Sequence, residues 1–189
     1  MPEIMLTLCL LLHFLTSGGN CQTANAEGAS SISMTARETC LCAQGFCDSG
    51  WIQYKNSCYK PVHEHVSWTK AEANCLSFKS HLASIHSSEE NDFVFILMGK
   101  PQDPYNGGSY WIGLHDIFQE GKYMWTDGSE MTFKTFGIGQ PDNNGNNENY
   151  IGSWYIENGH VTWNDYSGRY FFPYVCKYTL GRRLCNTDV

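Results

Sequence analysis

Five side chains that end in oxygen atoms could together hold a hard metal ion. They are two amides and three carboxylates, at Gln140, Asp142, Glu148, Asn164 and Asp165. The first three lie in the stretch QPDNNGNNENY (140–150), and the other two close the triplet WND (163–165). Ca²⁺ takes several oxygen ligands at flexible geometry, whereas zinc would want histidine or cysteine, which the loop lacks. The pattern indicates a calcium site, in which a cis peptide at Pro141 would turn its two neighbours to one side.

The same loop has a simpler interpretation as a solvent-exposed turn. It contains five Asn and one Gly, residues that tolerate turns and left-handed backbone. Between Phe136 and Tyr150 the sequence has no periodicity, and a loop of this length in a compact domain is usually functional or held by something. The surrounding elements must decide between the two interpretations.

Two helices precede the loop. In SWTKAEANC apolar residues recur at helical spacing after Ser67, which is an N-cap candidate. In SSEENDFVFILMG, Ser87 or Ser88 is the cap, the following acids suit the helix dipole, and Gly99 ends the helix.

Strand patterns occupy most of the remaining chain. WIQYKNSCYK alternates around a turn at 55–56, and SYWIGLHD is a single strand. KYMWTDGSEMTF predicts two short strands around 127–128, WYIENGHVTWND a hairpin around 158–159, and FFPYVCKYT a final strand. Two helices followed by strands and a long polar loop predict an α+β domain.

Net charge and the absence of catalytic motifs argue against two classes of function, nucleic-acid binding and catalysis. The chain has 189 residues with 42% hydrophobic content, enough for one core, and its net charge of −7 argues against a nucleic-acid partner. HEH (63–65) lacks the i, i+4 spacing of a helical metal pair, and no G-x-S-x-G is present. We therefore expect no enzyme.

The N-terminus predicts export. Residues 4–15 are apolar but too few to span a bilayer, and Gly19 is placed for cleavage. A signal peptide over 1–19 implies a secreted protein without a membrane span, and a cut after Ala26 is the alternative. Residues 20–46, rich in Ser, Ala, Thr and Gly, predict a flexible leader, and 179–189 a C-terminal tail.

Cysteine usage agrees with an oxidising compartment. Of nine cysteines, Cys9 leaves with the signal, so eight remain after a cut at Gly19, or seven after a cut at Ala26. CLCAQGFC has C-x-C spacing without a matching C-x-x-C or H-x-x-H pair, which favours disulfides over zinc.

The motifs resemble, in order and spacing, the C-type lectin-like domain. WIQYKNSCYK, SWTKAEANC, HLASIHSSEEN, YWIGLHD, QPD, WND and YVCKY carry the resemblance over about residues 47–178. It implies a double-looped α+β fold with two helices and small antiparallel sheets. It also implies two disulfides, Cys75 with Cys176 and, as in the long form of the domain, Cys47 with Cys58.

The resemblance also assigns roles to the five oxygen donors. All of them occupy ligand positions of the family's calcium pattern, and in that family two vicinal sugar hydroxyls complete the calcium shell. The resemblance thus implies Ca²⁺ as cofactor and glycans as partners, with Gln140, Asp142, Glu148, Asn164 and Asp165 binding both. Gln-Pro-Asp resembles the galactose type, whereas Glu-Pro-Asn marks the mannose type, because exchanging amide and carboxylate reverses donor and acceptor.

The chain departs from the family in three places. Tyr150 stands where a cysteine is usual, and no cysteine lies between Asp165 and Cys176, so the inner disulfide is absent. No Trp follows the triplet to stack on a sugar, which leaves Trp154 or His160 as substitutes or as ordinary packing residues. Some relatives use a second calcium site, whose positions match two acids and two amides here: Asp116, Glu120, Asn143 and Asn149. Two amides in place of carboxylates would make this site weaker, and solvated surface acids are the alternative interpretation.

We therefore expect a secreted, calcium-dependent lectin for galactose or N-acetylgalactosamine. The alternative is a lectin-like domain that binds a protein, mineral or ice surface through the same loops. Four further cysteines would close within the chain or link two chains into a homodimer: Cys21, Cys40, Cys42 and Cys185.

Overall fold

A computed structural model describes residues 41–43, 45–100 and 108–184 of the chain, which divides into two compact units. One unit is Phe46–Thr179. The other includes two strands, β1 (Leu41–Ala43) and β10 (Arg182–Leu184), which pair antiparallel.

These two strands lie within the segments that the sequence assigns to a leader and a C-terminal tail. Each has three residues, too few for an alternating pattern to be recognised, and each has its backbone partner at the other end of the sequence. The predicted signal peptide and Cys21, Cys40 and Cys185 lie outside the described residues.

Both helices lie where the sequence predicts. The first, α1 (Trp68–Ser77), follows Ser67, whose hydroxyl accepts a hydrogen bond from the backbone N–H of Lys70. The second, α2 (Ser88–Leu97), follows Ser87, whose hydroxyl accepts one from the N–H of Glu90. The caps satisfy donors that a first helical turn leaves unpaired.

The larger unit contains one eight-stranded sheet. Its strands are β2 (Ile52–Tyr54), β3 (Ser57–Val66), β4 (His81–Leu82), β5 (Trp111–His115), β6 (Met124–Trp125), β7 (Tyr150–Glu157), β8 (His160–Tyr166) and β9 (Phe172–Thr179). The order is β2-β3-β9-β5-β7-β8, with β4 on β9 and β6 on β5. The α+β class is confirmed. In place of the small antiparallel sheets that the resemblance implies, the strands of this unit form one mixed sheet, because β9 also pairs with β5 in parallel.

One predicted strand is absent. The segment after the turn at 127–128 does not return along β6. Asp127 instead accepts hydrogen bonds from the Ser84 hydroxyl (2.6 Å) and from the N–H of Ser129 (2.9 Å), which direct the chain elsewhere. Further on, Phe136 forms an isolated parallel bridge with Trp163 of β8.

Two disulfides and two aromatic clusters stabilise the unit. Cys47 pairs with Cys58 and Cys75 with Cys176, as the resemblance implies. Trp163 and Trp125 lie in one buried cluster, and Trp111 and Trp68 in the other. Trp163 directly precedes two of the candidate ligands, so core packing fixes the strand end that presents them.

Candidate metal centre

Strand β8 presents Asn164 and Asp165, and helix α2 holds that strand. The indole N–H of Trp163 donates to the side-chain oxygen of Asn91 (2.9 Å). The amide nitrogen of Asn91 donates to the carbonyl of Val161 (2.7 Å), and Asn91 is almost fully buried. Both hydrogen bonds are shielded from water, so Asn91 restricts the position of the strand.

The loop that carries the other three candidates begins beside the same strand. The N–H of Trp163 donates to the carbonyl of Thr135 (2.8 Å), and the N–H of Gly137 donates to the Trp163 carbonyl (3.0 Å). A side chain at Gly137 would not fit, because its Cβ would lie 2.7 Å from Cδ1 of Trp154. The loop and the ligand-bearing strand therefore share one backbone anchor.

Within the loop, carboxylates of the candidate site accept backbone hydrogen bonds. Asp165 accepts from the N–H groups of Asp142 (3.1 Å) and Asn143 (2.8 Å), and Glu148 accepts from the N–H of Asn144 (3.0 Å). The Gln140–Pro141 peptide is cis, as expected, and Asn143 has a positive φ of 44°. The loop thus has a defined conformation that folds it onto Asp165.

Three carboxylates converge in this conformation. One oxygen each of Asp142, Glu148 and Asp165 lies within 4.8 Å of the others, with Asp142 exposed and the other two buried. The side-chain oxygens of Gln140 and Asn164 are buried without a hydrogen-bond partner among the described residues. Buried polar atoms are normally paired, so two bare amide oxygens, each within two residues of a clustered carboxylate in the sequence, fit a cation.

The electrostatics of the cluster point the same way. Burial, followed by the nearby charges of Asp165 and Asp142, raises the pKa of Glu148 to about 7. Burial and the charge of Asp142 also raise the pKa of Asp165. Like charges held together out of water oppose full ionisation, and a divalent cation would relieve that repulsion.

The residues that match the second calcium site of some relatives lie next to this cluster. Glu120 accepts a hydrogen bond from the amide of Asn143, and the N–H of Asp116 donates to the carbonyl of Asn149 (3.2 Å). One oxygen of Asp116 accepts from the N–H of Gly121 (2.8 Å). The other is buried and has no partner among the described residues.

The two candidates for sugar stacking have other contacts. The ring of His160 lies 2.9 Å from the carboxylate of Asp92 on α2. The ring of Trp154 packs edge-on against Tyr155 and Tyr166 and lies beside Gly137 at the base of the loop. His160 therefore packs at the end of the β7–β8 hairpin, and Trp154 packs against the start of the loop at Gly137.

An aromatic contact occupies the place of the absent inner disulfide. The ring of Tyr150 packs against Trp68 with centroids 4.9 Å apart. A Cβ at Gly168 would lie 3.1 Å from the same ring. The glycine therefore admits the tyrosine, and packing joins segments that have no sulfur bridge between them.

Asn91 is the residue that sequence reasoning missed. It was assigned only to a helix, although it supports the strand that carries Asn164 and Asp165. Asn91 follows Glu89 and Glu90 in the polar first turn of α2, where an asparagine is ordinary, so the sequence carried no signal for this role.

A family model described as the Lectin C-type domain matches residues 64–178. The chain belongs to the C-type lectin family. Because C-type lectins are binding proteins rather than enzymes, the expectation of no catalysis is confirmed.

Individual C-type lectins are similar over most of this domain. The chain is 38% identical over 133 residues to a C-type lectin of Thrasops jacksonii, covering 69% of this chain and 82% of that protein. It is 37% identical over 131 residues to an alpha-N-acetylgalactosamine-specific lectin of Patiria pectinifera, covering 67% and 77%. Among solved structures, the C-type lectin CEL-I from Cucumaria echinata matches with a TM-score of 0.65 at 33% identity, covering 71% and 99%.

The described part of this C-type lectin contains no helix that could span a membrane. Both of its helices have ten residues, and neither is long and apolar enough to cross a bilayer.

Proposed function

We propose that the chain is a secreted lectin that binds galactose-type sugars through one Ca²⁺. The ligands would be Gln140, Asp142, Glu148, Asn164 and Asp165. The observation that carries the proposal is the convergence of three carboxylates. Close to two of them in the sequence are Gln140 and Asn164, whose buried amide oxygens have no hydrogen-bond partner among the described residues. All five are oxygen donors, as a hard cation requires.

The site suits calcium better than a solvated acidic patch. Asp165 is fully buried and Glu148 nearly so, whereas carboxylates that bind nothing are normally exposed. Their raised pKa values mark an excess of negative charge that a dication would neutralise. Calcium would also lock the loop onto β8, where no inner disulfide does so.

Sugar would bind by sharing these side chains with the metal. When Ca²⁺ holds the amide oxygens of Gln140 and Asn164, their NH₂ groups can donate to sugar oxygens, while Asp142 and Glu148 accept from sugar hydroxyls. The order of amide and carboxylate in Gln-Pro-Asp favours a galactose-type hydroxyl pair. The similarity to a lectin named for alpha-N-acetylgalactosamine supports this assignment.

The domain boundaries that we propose are those of an exported protein. We assign 1–19 as the signal peptide, 20–46 as the leader, 47–178 as the long-form lectin domain and 179–189 as the tail. The Cys47–Cys58 and Cys75–Cys176 bridges support an oxidising location. The four other cysteines offer intrachain closure or a disulfide-linked homodimer, which would raise avidity for clustered glycans.

Retention on galactose and mannose resins, with and without a chelator, tests the proposal. We expect calcium-dependent retention on galactose. The double variant Gln140→Glu with Asp142→Asn should move retention to mannose, because it reverses the donor and acceptor order. Calcium binding without retention of either protein on either resin would instead favour a protein, mineral or ice surface as the ligand.

A further inference from the structure

A groove of about 680 Å³ adjoins the candidate calcium site. This volume falls in the range of about 300–1,000 Å³ typical of small-molecule sites. Its lining combines apolar and charged side chains, among them Glu120, Tyr123, Met131, Lys134, Phe136 and Pro141. None of these is among the five proposed calcium ligands.

The groove and the calcium site share a wall. Pro141 lines the groove and lies between Gln140 and Asp142 in the chain. Glu120, also in the lining, accepts a hydrogen bond from the side chain of Asn143 in the same loop. A group attached to a sugar on the calcium therefore has the groove as its neighbour across the loop.

The lining matches the surface of a neutral sugar. The rings of Tyr123 and Phe136 are tilted together with centroids 5.2 Å apart, and both are partly buried. A pyranose has an apolar C–H face that packs on such rings, and its hydroxyls can reach polar groups at the rim. The rim offers one acid and one base, Glu120 and Lys134, so it selects no net charge.

The tyrosine also keeps its proton. Burial, followed by the charges of Asp116 and Asp165, raises the pKa of Tyr123. Its hydroxyl is therefore both a donor and an acceptor at physiological pH.

We propose that this groove is a second sugar subsite, which takes the neutral hexose next to the terminal residue that is bound at calcium. The proposal rests on the calcium-dependent sugar binding proposed above. It makes the preferred ligand at least a disaccharide. It also supplies, through Tyr123 and Phe136, the aromatic contact that the triplet loop itself lacks.

Calorimetry with methyl β-galactoside, lactose and N-acetyllactosamine, at saturating Ca²⁺, tests the subsite. Contact between two aromatic rings contributes about 0.5–1.5 kcal/mol, or about 2- to 13-fold in an equilibrium constant, and we assign the same order to a sugar face on Tyr123 or Phe136. We expect at least one disaccharide to bind more tightly than the monosaccharide by a factor in this range. Saturation-transfer NMR should show contact at protons of the second sugar residue.

A filling variant separates the groove from the calcium site. Thr132 is exposed and lines the groove, and Thr132→Trp would occupy it. We expect this variant to lose the disaccharide advantage while it keeps its affinity for Ca²⁺ and for methyl β-galactoside. The matched control is Thr69→Trp, at an exposed position beside Ser67, which should keep the advantage.

The outcomes distinguish the two proposals. Monosaccharide binding without any disaccharide advantage, or an advantage that Thr132→Trp leaves intact, overturns the subsite alone. An equal advantage for phenyl β-galactoside but none for the disaccharides overturns its assignment to a sugar. No calcium-dependent binding of any of these ligands overturns both the subsite and the proposed function.

Discussion

Replacing Asp165 by asparagine is the sharpest perturbation of the candidate metal centre. The carboxylate is fully buried, belongs to the three-acid cluster, and accepts two backbone N–H groups, those of Asp142 and Asn143. Asparagine keeps the shape but offers only one accepting oxygen. Its NH₂ group would face one of the two backbone donors, so that hydrogen bond is lost.

The loss has a magnitude that can be worked out. A hydrogen bond to a charged group contributes about 1.5–3 kcal/mol, equivalent to about 10- to 150-fold in an equilibrium constant. The variant also removes one of three negative charges around the ion. We therefore expect Asp165→Asn to weaken Ca²⁺ binding by at least about tenfold.

Titration calorimetry with Ca²⁺ is the direct assay. The matched control is Asp92→Asn, which makes the same chemical change at a carboxylate on helix α2 that contacts exposed His160. We expect the control to bind Ca²⁺ as the native protein does. Equal affinities for all three proteins would refute the assignment of Asp165 as a ligand.

Four further predictions concern protons, stability and assembly. Because Ca²⁺ binds the ionised form of Glu148, whose metal-free pKa is about 7, affinity should fall as pH decreases through 7; Glu148→Gln should flatten the profile measured by calorimetry. Without Ca²⁺ the folded state binds this proton more tightly, so the free energy of unfolding should decrease as pH rises from the ordinary glutamate pKa to about 7. Glu90→Gln breaks the buried ion pair with Lys177 (2.6 Å) and should lower the free energy of unfolding, measured by urea titration, by about 3–5 kcal/mol. The control Glu89→Gln, at an exposed position on the same turn, should barely change that free energy. Non-reducing electrophoresis tests the covalent homodimer, and a single monomer band without free thiol would leave only intrachain bridges.

Much of the architecture could be predicted because local signals agree with the fold. Ser67 and Ser87 cap their helices, and the turn at Asn158-Gly159 has positive φ at both residues, as a tight hairpin requires. The pairing of β5 with β9 could not be predicted by pattern, since it joins segments distant in the chain that have no shared periodicity. The missing strand after 127–128 could not be predicted either, because hydrogen bonds of the Asp127 side chain redirect a segment whose pattern predicts a strand.

The candidate site, too, could be predicted only in part from the sequence. The identity of the five oxygen donors could be predicted because their chemistry is evident from residue types. Their supports could not, because Asn91 and Thr135 act through contacts made only after α2 and the loop pack against β8. The groove beside Pro141 is likewise a product of tertiary packing, since its aromatic residues come from separate loop segments.

The contact of Tyr150 with Gly168 also determines which chemical conditions outside the cell can act on the binding loop. An aromatic ring against a backbone carbon cannot be reduced, exchanged or reshuffled, and Cys58, Cys75 and Cys176 of the two observed bridges are buried in the core. Thiols in the surroundings therefore have no sulfur bond to attack at the proposed sugar site. Capture and release of a glycan at a single site there would follow the activities of calcium and protons rather than the redox state of the medium.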